Sequence, residues 1–107
     1  MRLASQSLNA GVLAALYTVP NGNRTVFTAS FCNRSASVAK VSLALTAGGD
    51  PTDADWIEFE TPIQAAGAAG GSVLERTGLA LGVGQKVFVR SDVAGVSVVV
   101  FGVQEAI

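Results

Sequence analysis

The segment TVFTASFCN at positions 25–33 places bulky apolar side chains at every second position. In an extended chain, Phe27 and Phe31 share one face, whereas Val26 and Cys32 share the opposite face. A short run with this period, rich in β-branched and aromatic residues, is typical of a β-strand. The segment therefore predicts a strand that carries apolar side chains on both of its faces.

The same period recurs along the chain, and no window keeps the apolar spacing of an amphipathic helix over helical length. The other predicted strands are Arg2–Leu8, Val12–Val19, Val38–Thr46, Trp56–Thr61, Ser72–Leu81, Lys86–Ser91 and Val96–Gln104. Clusters of Gly, Pro, Asn and Asp separate them. This pattern predicts an all-β protein with one antiparallel β-sandwich or jelly-roll-like domain over residues 1–107.

Several connections have a composition that predicts their behaviour. Residues 20–23 combine proline, which fixes φ, with residues that tolerate positive φ, so a tight reversal is expected between the flanking strands. Residues 82–85 and 92–95 are expected to close two further hairpins. The segment Gln64–Gly71 is almost entirely Ala and Gly. It is expected to be a mobile connector because it has little area to bury.

Apolar side chains outnumber the positions that one small core offers. The strand Val38–Thr46 has an ordinary pattern, in which Val41 and Leu43 face the core while Lys40, Ser42 and Thr46 face solvent.

By contrast, the predicted outer faces of two strands carry apolar side chains, namely Val26, Cys32, Val99 and Phe101. A two-layer sandwich covers only the inner face of each sheet. These four residues are therefore covered by a loop or the N-terminal segment, or they form an interface with another subunit.

The composition favours association with proteins over other partners. Half of the residues are apolar, 14% are charged, and the formal net charge is -1, so charge repulsion between copies is weak. The seven Lys and Arg residues are scattered singly, so nucleic acid is not an expected partner. Membrane insertion is not expected either, because no apolar stretch approaches the ~18 residues of a membrane span.

Few residues have a type or spacing that indicates chemistry. Histidine is absent and Cys32 is the only cysteine, which removes the usual nucleophile pairs and zinc sites, so no enzyme activity and no cofactor are expected. Cys32 is expected to be a small buried apolar residue, made in a reducing compartment. Asp50, Asp53 and Asp55 share one loop, where they are either solvated turn residues or calcium ligands.

The segment Trp56–Glu60 is the best candidate for a ligand-binding face. Period two predicts that Trp56, Glu58 and Glu60 share one side of a strand, as in proteins that hold sugars between an aromatic plate and carboxylates. Two glutamates on one strand lie side by side and are poorly placed to flank a scissile bond. The segment therefore predicts glycan binding as an alternative function, without hydrolysis.

Five stretches together resemble a known group of proteins. They are Leu16–Gly22, Cys32–Ser35, Trp56–Phe59, Val73–Gly78 and Gly84–Arg90. This pattern of strand starts and turns resembles small β-sandwich proteins encoded among the structural genes of tailed bacteriophages.

The resemblance implies a tail, baseplate, neck, fibre or head-decoration component of the virion, synthesised in the host cytoplasm. It also implies a homo-oligomer, as a trimer or larger ring, that contacts other virion proteins. It carries no catalytic residues. Within it, residues 75–78 are expected to form a strand with a local ion pair and a glycine bulge or turn.

Overall fold

Eight β-strands make up the computed structural model, which describes residues 1–107. They are β1 (Arg2–Leu8), β2 (Ala14–Thr18), β3 (Asn23–Asn33), β4 (Ala39–Thr46), β5 (Trp56–Ile63), β6 (Val73–Leu81), β7 (Lys86–Ser91) and β8 (Val96–Ala106). A 3-10 turn over Asp53–Asp55 precedes β5. All eight predicted strands are confirmed, with shifted ends in several of them. No helix has the length and apolar character needed to cross a membrane.

The strands form two antiparallel sheets with a jelly-roll topology. Sheet A has the order β1-β8-β3-β6, and sheet B has the order β2-β7-β4-β5. The pairs β1–β8, β2–β7, β3–β6 and β4–β5 are nested, as if one long hairpin were bent at the connection after β4. This ribbon wraps so that β3 also pairs with β8 and β4 pairs with β7. The predicted β-sandwich or jelly-roll class is confirmed.

The predicted turns form, but they do not close hairpins. Asn23 N–H donates to the carbonyl of Pro20 at 3.2 Å, and Gln85 N–H donates to that of Gly82 at 3.2 Å. Both turns, like residues 92–95, join strands of opposite sheets. The hairpin prediction was therefore wrong at three places, because turn residues determine where the chain reverses and not which strand it pairs with.

The core lies between the sheets and consists mainly of the inward residues of the central strands, with a few residues from the edge strands. Phe31, Leu43 and Val98 are fully buried, with 0% of their surface exposed. Two of the three residues predicted to face solvent on β4, Ser42 and Thr46, are also buried, whereas Lys40 is exposed as predicted. The prediction of a solvated face was therefore wrong at Ser42 and Thr46. Strand β4 lies between β5 and β7, and the Ser42 hydroxyl accepts a hydrogen bond from the Glu60 N–H at 3.0 Å.

Irregular pairing is confined to the strands at the sheet edges. Each of β1, β2, β5 and β6 shows at least one register shift against its neighbour, whereas the central pairs β3–β8 and β4–β7 run without interruption. In β6 the shift lies next to Gly78, whose φ is 68°, which confirms the predicted glycine bulge. The predicted local ion pair was wrong, because Arg76 pairs with Glu58 of β5 and not with Glu75.

The connector between β5 and β6 is tied to the fold at its start. The buried Asn33 side chain donates to the carbonyls of Ser37, Ile63 and Gln64 at 2.8–3.2 Å. Ala66 N–H donates to the Ser35 carbonyl at 3.0 Å. Residues 66–71 are exposed. The predicted mobility therefore applies to the second half of the connector, where it stays a prediction.

Candidate functional site

The pairing of β3 with β8 brings the outward side chains of both strands onto one surface. Val26 lies opposite Val103, Thr28 opposite Phe101, and Ser30 opposite Val99 in the register. Phe27, Ala29 and Val100, which alternate with them, are buried, so these side chains point away from the core. We call this surface of sheet A the outer face.

All four residues predicted for an interface, Val26, Cys32, Val99 and Phe101, belong to the outer face. Val26 is 49% exposed and Phe101 is 39% exposed, so no segment of the same chain covers them. Cys32 is partly exposed as well. The expectation of a buried cysteine was wrong, because the outer face has no third layer over it.

Positive groups border the outer face on the β1 side. Arg2 pairs in register with Phe101 across β1 and β8. The guanidinium of Arg34 donates to the hydroxyls of Ser97 and Ser7, at 2.6 Å and 2.8 Å. Phe101 and Arg2 are thus cross-strand neighbours at this border of the outer face.

Gly102 allows the close approach of β8 to β3 beneath these side chains. A Cβ atom at this position would lie 2.7 Å from Cα of Phe27 and would also collide with the backbone oxygen of Val26. The backbone of Gly102 also exchanges two hydrogen bonds with Met1, each of 2.8 Å. The close approach of β8 to β3 therefore requires a residue without a side chain at position 102.

The three residues predicted for a ligand face, Trp56, Glu58 and Glu60, do not share one side of β5. Register shifts interrupt the pairing of β5 with β4, and Glu60 has a φ of 50°. The Glu58 carboxylate accepts a hydrogen bond from Arg76 of sheet A at 2.6 Å, whereas that of Glu60 lies 3.7 Å from Arg90 of β7. The expectation of a shared face was wrong because the bulges break the alternation of side chains.

Trp56 instead meets an aromatic residue that period two placed on the other side. The rings of Trp56 and Phe59 are 5.4 Å apart in an edge-to-face arrangement with an interplanar angle of 67°, and Phe59 is 59% exposed. Together with Asp53 they line an open depression of about 280 Å³, which we call the aromatic depression. Sequence reasoning left Phe59 out of the ligand face because no local pattern reveals the bulges, and it named Asp53 only as a turn residue or calcium ligand.

The three aspartates of the loop before β5 do not gather. No group of three or more Asp, Glu or Cys side chains in the structure is placed to hold a metal ion. The Asp55 carboxylate accepts hydrogen bonds from the backbone N–H of Thr52 at 2.8 Å and from its hydroxyl at 3.1 Å. Asp55 thus acts as a turn residue, while Asp53 makes no ion pair.

A second open depression, of about 420 Å³, runs along the β1 edge of sheet A. Its lining is mostly polar and consists of Arg2, Ser5, Gln6, Ser7, Ser97, Val98 and Val99. It continues the outer face towards β1.

In comparisons with known proteins, no family model and no curated protein matches this sequence.

Proposed function

We propose that the protein is a non-enzymatic structural component of a tailed-phage virion that acts by self-association and by contacts with other virion proteins. The observation that carries this proposal is the outer face, where Val26, Val103 and Phe101 expose apolar surface side by side. Contiguous apolar surface on a protein of low net charge favours a protein partner.

The architecture is compatible with this role. Jelly rolls occur in viral capsid and lectin domains, although the fold alone does not determine function. The resemblance to phage structural proteins supports a place in the tail, baseplate, neck, fibre or head decoration. Under this proposal the protein is made in the host cytoplasm and then incorporated into the virion.

The proposed assembly is a homo-oligomer, as a trimer or a larger ring. A ring covers the apolar outer face of each subunit without leaving an open end. The four interface residues Val26, Cys32, Val99 and Phe101 lie on a regular, uninterrupted pair of strands. This regularity supports a rigid contact surface.

A matched pair of lysine substitutions tests the role of the outer face. Val26→Lys places a charge on the outer face, whereas Val38→Lys places one at a similarly exposed valine outside it, since the two residues are 49% and 46% exposed. We expect Val26→Lys to sediment as a monomer at micromolar concentration while wild type and Val38→Lys sediment as oligomers. Val99→Lys should behave like Val26→Lys. A monomeric wild-type protein would contradict the proposal.

Glycan binding is a second candidate function, favoured by the exposed aromatic rings of Trp56 and Phe59 beside Asp53. The sequence predicted glycan binding at Trp56, Glu58 and Glu60, but the carboxylates of both glutamates pair with arginines. Titration with host surface glycans, followed by Trp56 fluorescence, tests it. Saturable binding that Phe59→Ala abolishes would support this function over assembly. Glycan hydrolysis lost in Glu58→Gln/Glu60→Gln would show an enzyme.

A further inference from the structure

Two different apolar surfaces lie on the two sheets of the sandwich. The outer face belongs to sheet A and includes Phe101, whereas the aromatic depression lies at β5 of sheet B. A symmetric contact of the outer face with itself leaves the exposed Phe59 ring uncovered. A contact between the outer face of one copy and the depression of the next covers both surfaces.

The chemistry of the two surfaces is complementary. On the outer face, Phe101 and Arg2 are cross-strand neighbours in the register of β8 and β1. In the depression, the rings of Trp56 and Phe59 stand beside the Asp53 carboxylate. Neither Arg2 nor Asp53 forms an ion pair within its own chain. Aromatic rings attract each other in edge-to-face and offset-stacked arrangements. An ion pair between a cation and a carboxylate beside the rings fixes the orientation of such a contact.

The depression also has room for an aromatic side chain. It is open to solvent and has a volume of about 280 Å³, which exceeds the ~150 Å³ of a closed cavity that holds benzene. Sugar recognition needs several directed polar groups, whereas Asp53 is the only charged residue in this lining. The lining therefore favours an aromatic and cationic occupant over a glycan.

We propose that Phe101 and Arg2 of one copy occupy the aromatic depression of a second copy, so that subunits associate head to tail. This inference rests on the self-association proposed above and specifies its contact. Phe101 packs on Trp56 and Phe59, and the guanidinium of Arg2 pairs with Asp53. Because the two contact surfaces differ, the contact repeats from subunit to subunit and produces a closed ring or an open filament.

A mixing experiment tests this contact with two double variants. Arg2→Ser/Phe101→Ser, the donor variant, removes the side chains that enter the depression. Asp53→Ser/Phe59→Ser, the acceptor variant, removes two side chains that line the depression. Each variant alone should associate at least about tenfold more weakly than wild type. An equimolar mixture should form 1:1 dimers in sedimentation equilibrium, because each mixed pair retains one intact contact. Circular dichroism should show that both variants remain folded.

The other outcomes separate this inference from the proposed function. If the acceptor variant still assembles like wild type while the donor variant does not, the outer face contacts itself and the head-to-tail contact is wrong. In that case self-association stands. If wild type is a monomer, both proposals fail. If Asp53→Ser/Phe59→Ser loses glycan binding and assembles normally, the depression is a sugar site.

Charge exchange gives an independent test of the ion pair. Arg2→Asp and Asp53→Arg should each weaken association by about tenfold. The double variant Arg2→Asp/Asp53→Arg should recover most of the wild-type affinity, because the pair is restored with reversed polarity. Asp50→Arg is the control, since this exposed aspartate lies in the same loop outside the lining. A double variant no better than the single variants would overturn the pairing of Arg2 with Asp53.

Discussion

At the scale of single residues, Gly102 carries the sharpest stability prediction. Because an added Cβ collides with the backbone of Val26 and Phe27, Gly102→Ala should destabilise the fold by about 3 kcal/mol, the upper end of typical overpacking costs. Gly49→Ala is the control, because its Cβ meets nothing within 4 Å, and it should change stability by less than about 1 kcal/mol. Urea unfolding measures both. Equal stability of the two variants would contradict the close approach of β8 to β3.

The ion pair between Glu58 and Arg76 should matter more than the other ion pairs. The Glu58 side chain is 15% exposed and pairs with Arg76 at 2.6 Å, across the two sheets. Arg76→Met should cost about 1–3 kcal/mol of unfolding free energy, since it leaves a mostly buried carboxylate without its cation. Arg24→Met breaks the exposed pair with Glu105 and should cost less than about 1 kcal/mol. Thermal or urea unfolding that ranks the variants in the opposite order would refute this.

Residue-level predictions from the sequence succeeded on the outer face, where β3 pairs with β8. Val26, Cys32, Val99 and Phe101 were placed on outward faces by period two, and the uninterrupted β3–β8 pairing puts them there. The alternation failed in β5, where the bulges and the positive φ of Glu60 redirect the side chains. No local signal in Trp56–Glu60 marks such a bulge, because it arises from pairing with β4.

At the scale of elements, strand positions were predictable and strand partners were not. Apolar period and turn residues locate β1 to β8 because both signals are local. The membership of each strand in a sheet depends on packing between distant segments, so the turn at Pro20–Asn23 gave no warning that β2 and β3 lie in different sheets. The cross-strand neighbours on the outer face, such as Val26 and Val103, are distant in sequence and were unpredictable for the same reason.

The connector between β5 and β6 should exchange its amide hydrogens unevenly. The Ala66 amide should be protected because it donates to Ser35, whereas the amides of Gly67, Gly70 and Gly71 should exchange fast. Hydrogen exchange followed by NMR resolves these positions. Asn33→Ala should remove the protection of Ala66, because it releases the carbonyls of Ile63 and Gln64. Uniform protection across the connector would show that it is packed throughout.

At the scale of the whole molecule, the nested pairing predicts slow folding. The first strand pairs with the last, and the Met1 amine donates a hydrogen bond to the carbonyl of Gly102, which is 101 residues away. Closing such long loops before native contacts form has a high entropic cost. Because all-β domains with many contacts between distant residues fold slowly, refolding should take on the order of milliseconds to seconds. Stopped-flow fluorescence of Trp56, the only tryptophan, measures it. Complete refolding within microseconds would contradict this expectation.

The register shifts in the edge strands have a consequence beyond the positions of side chains. An exposed edge with a straight, unpaired backbone can recruit another chain and seed amyloid-like aggregation. In this protein all four edge strands, β1, β2, β5 and β6, contain a bulge, and β5 also carries Pro62, which has no N–H to offer. We therefore expect this half-apolar chain to resist edge-to-edge aggregation, because its edge strands are poor templates for a further strand.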